Sequence, residues 1–384
     1  MQRQTHIKKI ILIPDSFKGT MSSKKICNIM EMAIKKQCTN ANIISIPVAD
    51  GGEGSVDAFL SSLGGKKIYV NVTGPKFKTI KSFYGILADK KTAVIEMASC
   101  AGLPLVEKKP NPETTTTYGC GELILDALAH GCTKIIMGLG GSATNDAGCG
   151  MVAALGVRFF GKNKKEFIPV GKTLRNILHI DMSHLDQRLR KIKIITMCDI
   201  DNPLFGQTGA AFVFAPQKGA DAKMVSRLDE GLKHLASIVK LELGKDKSQL
   251  QGAGAAGGMG YAMNVFLNSK LQSGIETVLD TVGFDKIAKD ADFVFSGEGK
   301  IDEQSLHGKV IAGIAKRCKK AKVPLIAIVG DIGDGIEKLY SRGVSAIFSI
   351  NRVAVDYKIA RLRAEKDLHL TVENIMRFIK TVQR

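Results

Sequence analysis

Tryptophan is absent from the chain, and aromatic residues fill only 6% of its 384 positions. Modules that grip looped or single-stranded nucleic acid stack bases on aromatic faces, so this scarcity counts against such a partner despite a formal net charge of +18. The basic residues are also spread over several segments (162–172, 188–193, 316–322) rather than gathered on one element. We read the charge as a solvated surface that draws in small anions, with no nucleic-acid partner. Cysteines number eight, without CxxC or Cys/His ligand spacing, so neither a zinc staple nor a disulfide framework is expected, and reduced thiols fit a cytoplasmic setting. Apolar runs are strand-sized, and none is long enough to span a bilayer. The run IILIP (10–14) follows basic residues but is too short for a signal-peptide core and lacks a cleavage-like site. Neither a Walker GxxxxGK[ST] motif nor the protein-kinase signature set occurs.

What the chain does have is 40 glycines within a 45% hydrophobic composition, which suits a loop-rich α/β protein long enough for two cores. The stretch KIIMGLGGSATNDAGCGM (134–151) is central. It reads as a short strand running into a loop of Gly138, Gly140 and Gly141, then the hydroxyls of Ser142 and Thr144, then a helix. Glycines let a ligand approach main-chain N–H groups, and the open helix end carries partial positive charge, which together make a phosphate cradle. Asn145 and Asp146 stand where they could bind a substrate hydroxyl or hold magnesium. An equally weighted alternative is a plain strand-to-helix turn with Ser142 or Thr144 as N-cap.

In chain order, a first buried strand ends in Asp15, Ser16 and Lys18, and a second (43–48) ends in a loop bearing Asp50 and Glu53. In parallel sheets ligands gather at such carboxyl ends. Ser22 and Ser23 cap the intervening helix, and a helix over 55–63 follows the second loop. A strand at 66–72 closes at Gly74; after it, paired strands at 79–86 and 92–97 flank a polar turn. Threonines 114–117, before a helix over 121–129, read mostly as caps and solvent contacts, although a substrate carboxylate could use one. A strand at 192–197 ends in Asp199, Asp201 and Asn202, and an extended backbone would put both aspartates on one side. The alanine and phenylalanine residues through 212–214 read as a further strand, and 221–241 as a long amphipathic helix. Gly252, Gly254 and Gly257 have the GxGxxG spacing but follow a polar stretch rather than a strand. They read as a second glycine-rich helix start that closes over the same phosphates or packs tightly. A strand at 292–296 leads into a polar loop (297–309) with Glu298, Asp302, His307 and Lys309, and strands at 325–329 and 344–349 precede a terminal helix over 356–381.

This order predicts an α/β fold of two domains: residues 1–74 and 285–384 as a Rossmann-like parallel-sheet domain, and 75–284 as an inserted α/β domain with a mixed sheet. Loops that pair glycines with carboxylates, hydroxyls and lysines suit phosphoryl transfer, which is accomplished by positioning and charge stabilisation. Seven segments, PDSFKG (14–19), ADGGEG (49–54), GLGGSATND (138–146), CDIDNPL (198–204), APQKGA (215–220), GAGAAGG (252–258) and GEGKIDEQSLHGK (297–309), occur in this order over nearly the whole chain. Together they resemble the bacterial type I glycerate kinase family. The resemblance implies ATP- and Mg2+-dependent phosphorylation of D-glycerate at the 2-hydroxyl, in a two-domain α/β fold with the site in the cleft.

Roles follow from loop position. Lys18 and the loop of Gly138, Gly140, Gly141, Ser142 and Thr144 would bind phosphates or the glycerate carboxylate, with Gly254, Gly257, Glu298, Asp302 and Lys309 also on the nucleotide side. Ser16, Asp50, Glu53, Asn145, Asp146 and Asn202 would contact glycerate, and Asp50 and Asp302 are the magnesium candidates. Asp15 or Asp199 would accept the hydroxyl proton, ahead of His307. Partners would be D-glycerate and ATP, without membrane, and a homodimer is compatible with this organisation. Two rival enzymes stay open: a galactokinase-like kinase, from the likeness of GLGGSA to that class's phosphate loop, and an NAD-dependent oxidoreductase resting on Gly252 to Gly257. Protection by nicotinamide cofactor and not by ATP would favour the oxidoreductase.

Overall fold

The computed structural model describes residues 7–48, 51–106, 108–306 and 310–382, the side chains of Gln304 and Leu306 aside. Asp50, His307 and Lys309 lie outside the described residues. The chain divides into two compact units, Met1–Ala49 with Ile275–Arg384 and Asp50–Gly274.

In the first unit five strands lie in the order Val344–Ser349, Leu325–Val329, Phe293–Ser296, Lys9–Leu12, Asn42–Ser45, every pairing parallel. The central strands are near-continuous apolar runs, and Leu325–Val329 is buried at every residue, as a sheet covered on both faces requires. The helix Ser23–Gln37 begins where Ser22 accepts the N–H of Lys25. It packs Ile26, Met30 and Ile34 into one core with Leu368, Val372 and Met376 of the terminal helix Tyr357–Val382. Chain order reverses between Lys9–Leu12 and Phe293–Ser296. That makes a topological switch point, the position in open parallel sheets where ligands gather.

The second unit is built on a six-stranded mixed sheet. Lys270–Gln272, Lys193–Met197, Lys134–Gly138 and Thr92–Glu96 run parallel, and Thr79–Leu87 and Gly65–Thr73 continue it antiparallel. Gly65–Thr73 pairs along its whole length with Thr79–Leu87. It therefore belongs to this sheet, whereas the sequence places it before a boundary at Gly74. A second departure concerns 212–214, which lie in the helix Ala210–Phe214 and not in a strand. A short apolar run is ambiguous by periodicity alone, and here Ala210 and Ala211, good helix formers, are buried at the helix start. Among the described residues no helix is long and apolar enough to cross a membrane.

Candidate active site

The loop after Lys134–Gly138 is held by its neighbours on every side. Gly51 and Gly52 lie directly against it: the Gly140 N–H donates to the Gly51 carbonyl at 3.0 Å, and a Cβ on Gly140 would stand 2.5 Å from Gly52 Cα. Glycine is required at Gly140 for this backbone-to-backbone approach. Further on, the N–H groups of Leu103 and Ala143 bond the carbonyls of Gly141 and Ala101, each at 2.9 Å. Ser142 and Thr144 cap no helix; the helix that follows is Cys149–Ala154, with Gly148 at its cap position.

Asp146 organises the turn into that helix. Its Oδ2 accepts the N–H and the hydroxyl of Thr117, both at 2.8 Å, and the N–H of Gly150 at 3.2 Å, while Oδ1 accepts the N–H of Gly148 at 3.1 Å. Burial raises its carboxyl above the ordinary range, opposed by these hydrogen bonds. Asp146, expected to meet a substrate hydroxyl or magnesium, is thus buried with both oxygens accepting hydrogen bonds from the protein. Thr115, Thr116 and Thr117 are buried too, against the expected solvent role: Thr115 donates to the Ala143 carbonyl at 2.9 Å.

Lys218 completes this centre. It ends the short turn Pro216–Lys218, is 2% exposed, and donates from Nζ to Ser142 Oγ at 2.8 Å and to the Thr144 carbonyl at 2.7 Å. Burial pushes its ammonium down from the usual 10.5 to about 7, and the Asp146 carboxylate partly offsets that. Beside it, the Thr144 hydroxyl and both side-chain polar atoms of Asn145 are buried with no hydrogen-bond partner among the described residues. Leaving such groups unpaired costs about 1–3 kcal/mol each, and such orphans in a folded protein point to a functional or ligand-completed site. The helix start at Ala255 closes the far side. Gly257, at φ +70°, brings its backbone so near that a Cβ would sit 2.1 Å from the Thr144 carbonyl, and the Gly254 N–H donates to the Asn202 carbonyl at 3.0 Å. Gly254 and Gly257 thus serve close packing of loop on loop.

The same unit carries Glu53, exposed, and Asp199, whose carboxylate accepts the N–H of Gly274 at 2.9 Å. Asp199 and Asp201 are both exposed while Ile200 packs against the core, the alternation expected of extended backbone. The Asn202 side chain donates to the Thr208 carbonyl at 2.8 Å.

In the first unit, the switch point gathers the remaining candidates. The Asp15 N–H donates to the Gly297 carbonyl at 2.8 Å, the Asp15 carboxylate accepts the Ser16 N–H at 2.7 Å, and Gly299 lies against the backbone of Phe17 and Lys18. Glu298 is buried, and its carbonyl accepts the N–H of Gly330 at 3.1 Å. Asp302 lies 3.8 Å from the ammonium of Lys300. Asp15, Ser16, Lys18 and Glu298 thus lie at the carboxyl ends of two adjacent parallel strands, and Asp302 follows the short parallel pair of Lys300–Ile301 with Asp331–Ile332.

The model of the Glycerate kinase family matches residues 10–380. The chain belongs to the glycerate kinase family. Among its relatives, the glycerate kinase of Bacillus cereus is 46% identical over 368 residues, covering 96% of this chain and 97% of that one. The glycerate 2-kinase of Escherichia coli is 43% identical over 342 residues, 89% and 90% of the two chains. A crystal structure of a Salmonella typhimurium LT2 protein provisionally named glycerate kinase 2 superposes with a TM-score of 0.88 at 39% identity, covering 98% of this chain and all of that one.

Membership of this enzyme family brings in ATP, and magnesium is the usual companion of its phosphates. Mg2+ binds one or two carboxylates and completes its shell with phosphate oxygens and water. Among the described residues no three His, Cys, Asp or Glu side chains are grouped to cage a metal on their own. Sequence reasoning placed Lys218 in one of the family segments without giving it a role, and read the threonines mainly as caps and solvent contacts. The available signal was a lysine set between Ala-Pro-Gln and Gly-Ala, where the neighbours lead toward an apolar interior.

Proposed function

We propose that this family member transfers the γ-phosphoryl group of ATP to the 2-hydroxyl of D-glycerate by direct in-line displacement, giving 2-phospho-D-glycerate and ADP. The observation that carries this reading is the 43% identity to the Escherichia coli glycerate 2-kinase across nine-tenths of both chains. The chemistry of the loops agrees with it: a glycine-rich turn with a buried amine in one unit, and carboxylates with an exposed lysine at the switch point of the other. Phosphoryl transfer asks for such positioning and charge stabilisation rather than a covalent group on the protein.

In this scheme Ser142, Thr144 and Asn145 contact the anionic end of a substrate, and Lys18 contacts phosphate. Glu298 and Asp302 serve the nucleotide and its magnesium, and Asp15 or Asp199 receives the hydroxyl proton. Gly252 to Gly257 carry no dinucleotide, because they follow a turn and pack on residues 144–145 and 202–203. Incubation with ATP, magnesium and D-glycerate followed by phosphorus NMR tests the reading. The expected product is 2-phosphoglycerate; 3-phosphoglycerate would move the acceptor, and no phosphorylated glycerate would refute the activity.

A further inference from the structure

We propose that Lys218 is the positioning residue of the glycine-rich loop, a buried cation whose counter-ion is the anionic ligand itself. This rests on the reading of the loop as an anion site given above. Lys218 Nζ meets two neutral acceptors, Ser142 Oγ and the Thr144 carbonyl, at 2.8 and 2.7 Å. No carboxylate forms an ion pair with it among the described residues; Asp146 acts on it only through space, and the oxygens of Asp146 are occupied by Thr117, Gly148 and Gly150. The other titratable groups near that carboxylate are thiols held protonated, Cys120 by its hydrogen bond with Cys100 and then by burial, Cys149 by burial. A lysine that is 2% exposed without a paired charge is costly, and the polar atoms of Thr144 and Asn145 beside it are also unpaired among the described residues. One event satisfies the donors among them, Lys218 Nζ, the Thr144 hydroxyl and Asn145 Nδ2: arrival of a phosphate or carboxylate oxygen at residues 142–145. Ser142 and the Thr144 carbonyl, fixed by Nζ, then hold the loop in the receiving arrangement.

A chemical consequence follows. Burial leaves Lys218 near half-protonated at neutral pH, and an anion placed beside it favours the ammonium. Binding would therefore draw a proton from solvent onto the Nζ lone pair, with no other bond made or broken. At pH 8 the uptake approaches roughly 0.9 of a proton per site.

The test is isothermal titration of the full chain at pH 8 in HEPES and in Tris, whose ionisation enthalpies differ. ADP with magnesium is used in one arm and D-glycerate in the other, which separates the phosphate source from the carboxylate source. The wild-type chain should take up most of a proton in one arm, and Lys218→Met none. In steady-state kinetics Lys218→Met should raise KM for that same ligand at least tenfold, with partial recovery in Lys218→Arg. Binding and turnover by the wild type without proton uptake would overturn the role of Lys218 while leaving the kinase reading intact. Equal uptake in Lys218→Met would do the same. The wild-type titration does not depend on whether any variant folds. Failure of the wild type to bind or turn over either ligand would instead remove the kinase reading, and this proposal with it.

Discussion

Replacing Lys218 by methionine should change how stability depends on pH, and the size of the change can be worked out. The side chain is fully enclosed, with its ammonium lowered from 10.5 to about 7. For a lysine with a depressed native pKa, the unfolded chain holds more protons than the native one between the two values. Its penalty on folding is therefore full below pH 7 and is relieved as pH rises toward 10.5. Integrating between pH 7 and pH 9, this lysine should return about 2 kcal/mol to the wild-type chain. Methionine has nearly the same length and no titrating group, so the stability difference between wild type and Lys218→Met isolates that term. Urea unfolding of both at pH 7, 8 and 9, followed by circular dichroism without ligand, measures it. Wild type should gain on the variant steadily across the series. A difference that stays flat within about 0.5 kcal/mol would mean Lys218 is charged in the native protein throughout, and the argument from its burial would be refuted.

Other expectations follow from the same geometry. Asp146→Asn keeps the shape but turns one acceptor oxygen into a donor among four N–H and O–H donors. A loss of about 2–4 kcal/mol in chemical denaturation is expected, and a loss under 0.5 would show that those bonds count for little. Gly257→Ala must fit a methyl group 2.1 Å from the Thr144 carbonyl at a φ of +70°. It should cost about 2–3 kcal/mol and most of the turnover, whereas unchanged thermal unfolding would show that the loop yields easily. Seven of the eight cysteines are buried and Cys198 is partly so, its thiol pushed up to about 11 by burial. Ellman's reagent at pH 7.5 should label the native chain slowly and all thiols after denaturation; rapid native labelling would contradict the packing described.

How much was legible in the sequence depends on the range of the interactions concerned. Local signals were sufficient for the helix Ser55–Leu63 and the strands Leu325–Val329 and Val344–Ser349, whose expected limits match the structure. Periodicity, caps and turn residues act within a few positions, so they can be read along the chain. The same holds for the paired strands on either side of the 88–91 turn. The helix at 210–214 escaped because five apolar residues carry no period that separates strand from helix. Glu96 escaped as well: it stands at the end of a strand far along the chain, yet its buried carboxylate receives the N–H of Val56 at the start of the helix Ser55–Leu63.

By itself the sequence determined the α/β class, most of the order of strands and helices, the family, and which loops carry glycines beside polar groups. Each of these is written in residue type and spacing. Only the tertiary structure decided what those polar groups are bonded to. It committed Asp146 to Thr117, Gly148 and Gly150, buried the threonine run, set Gly140 and Gly257 against neighbouring backbone, and carried Lys218 across 74 and 76 residues of chain to Thr144 and Ser142. Desolvation and hydrogen bonding depend on which atoms end up within 3 Å of each other. That proximity is fixed by packing among segments far apart in the chain, where no local pattern reaches.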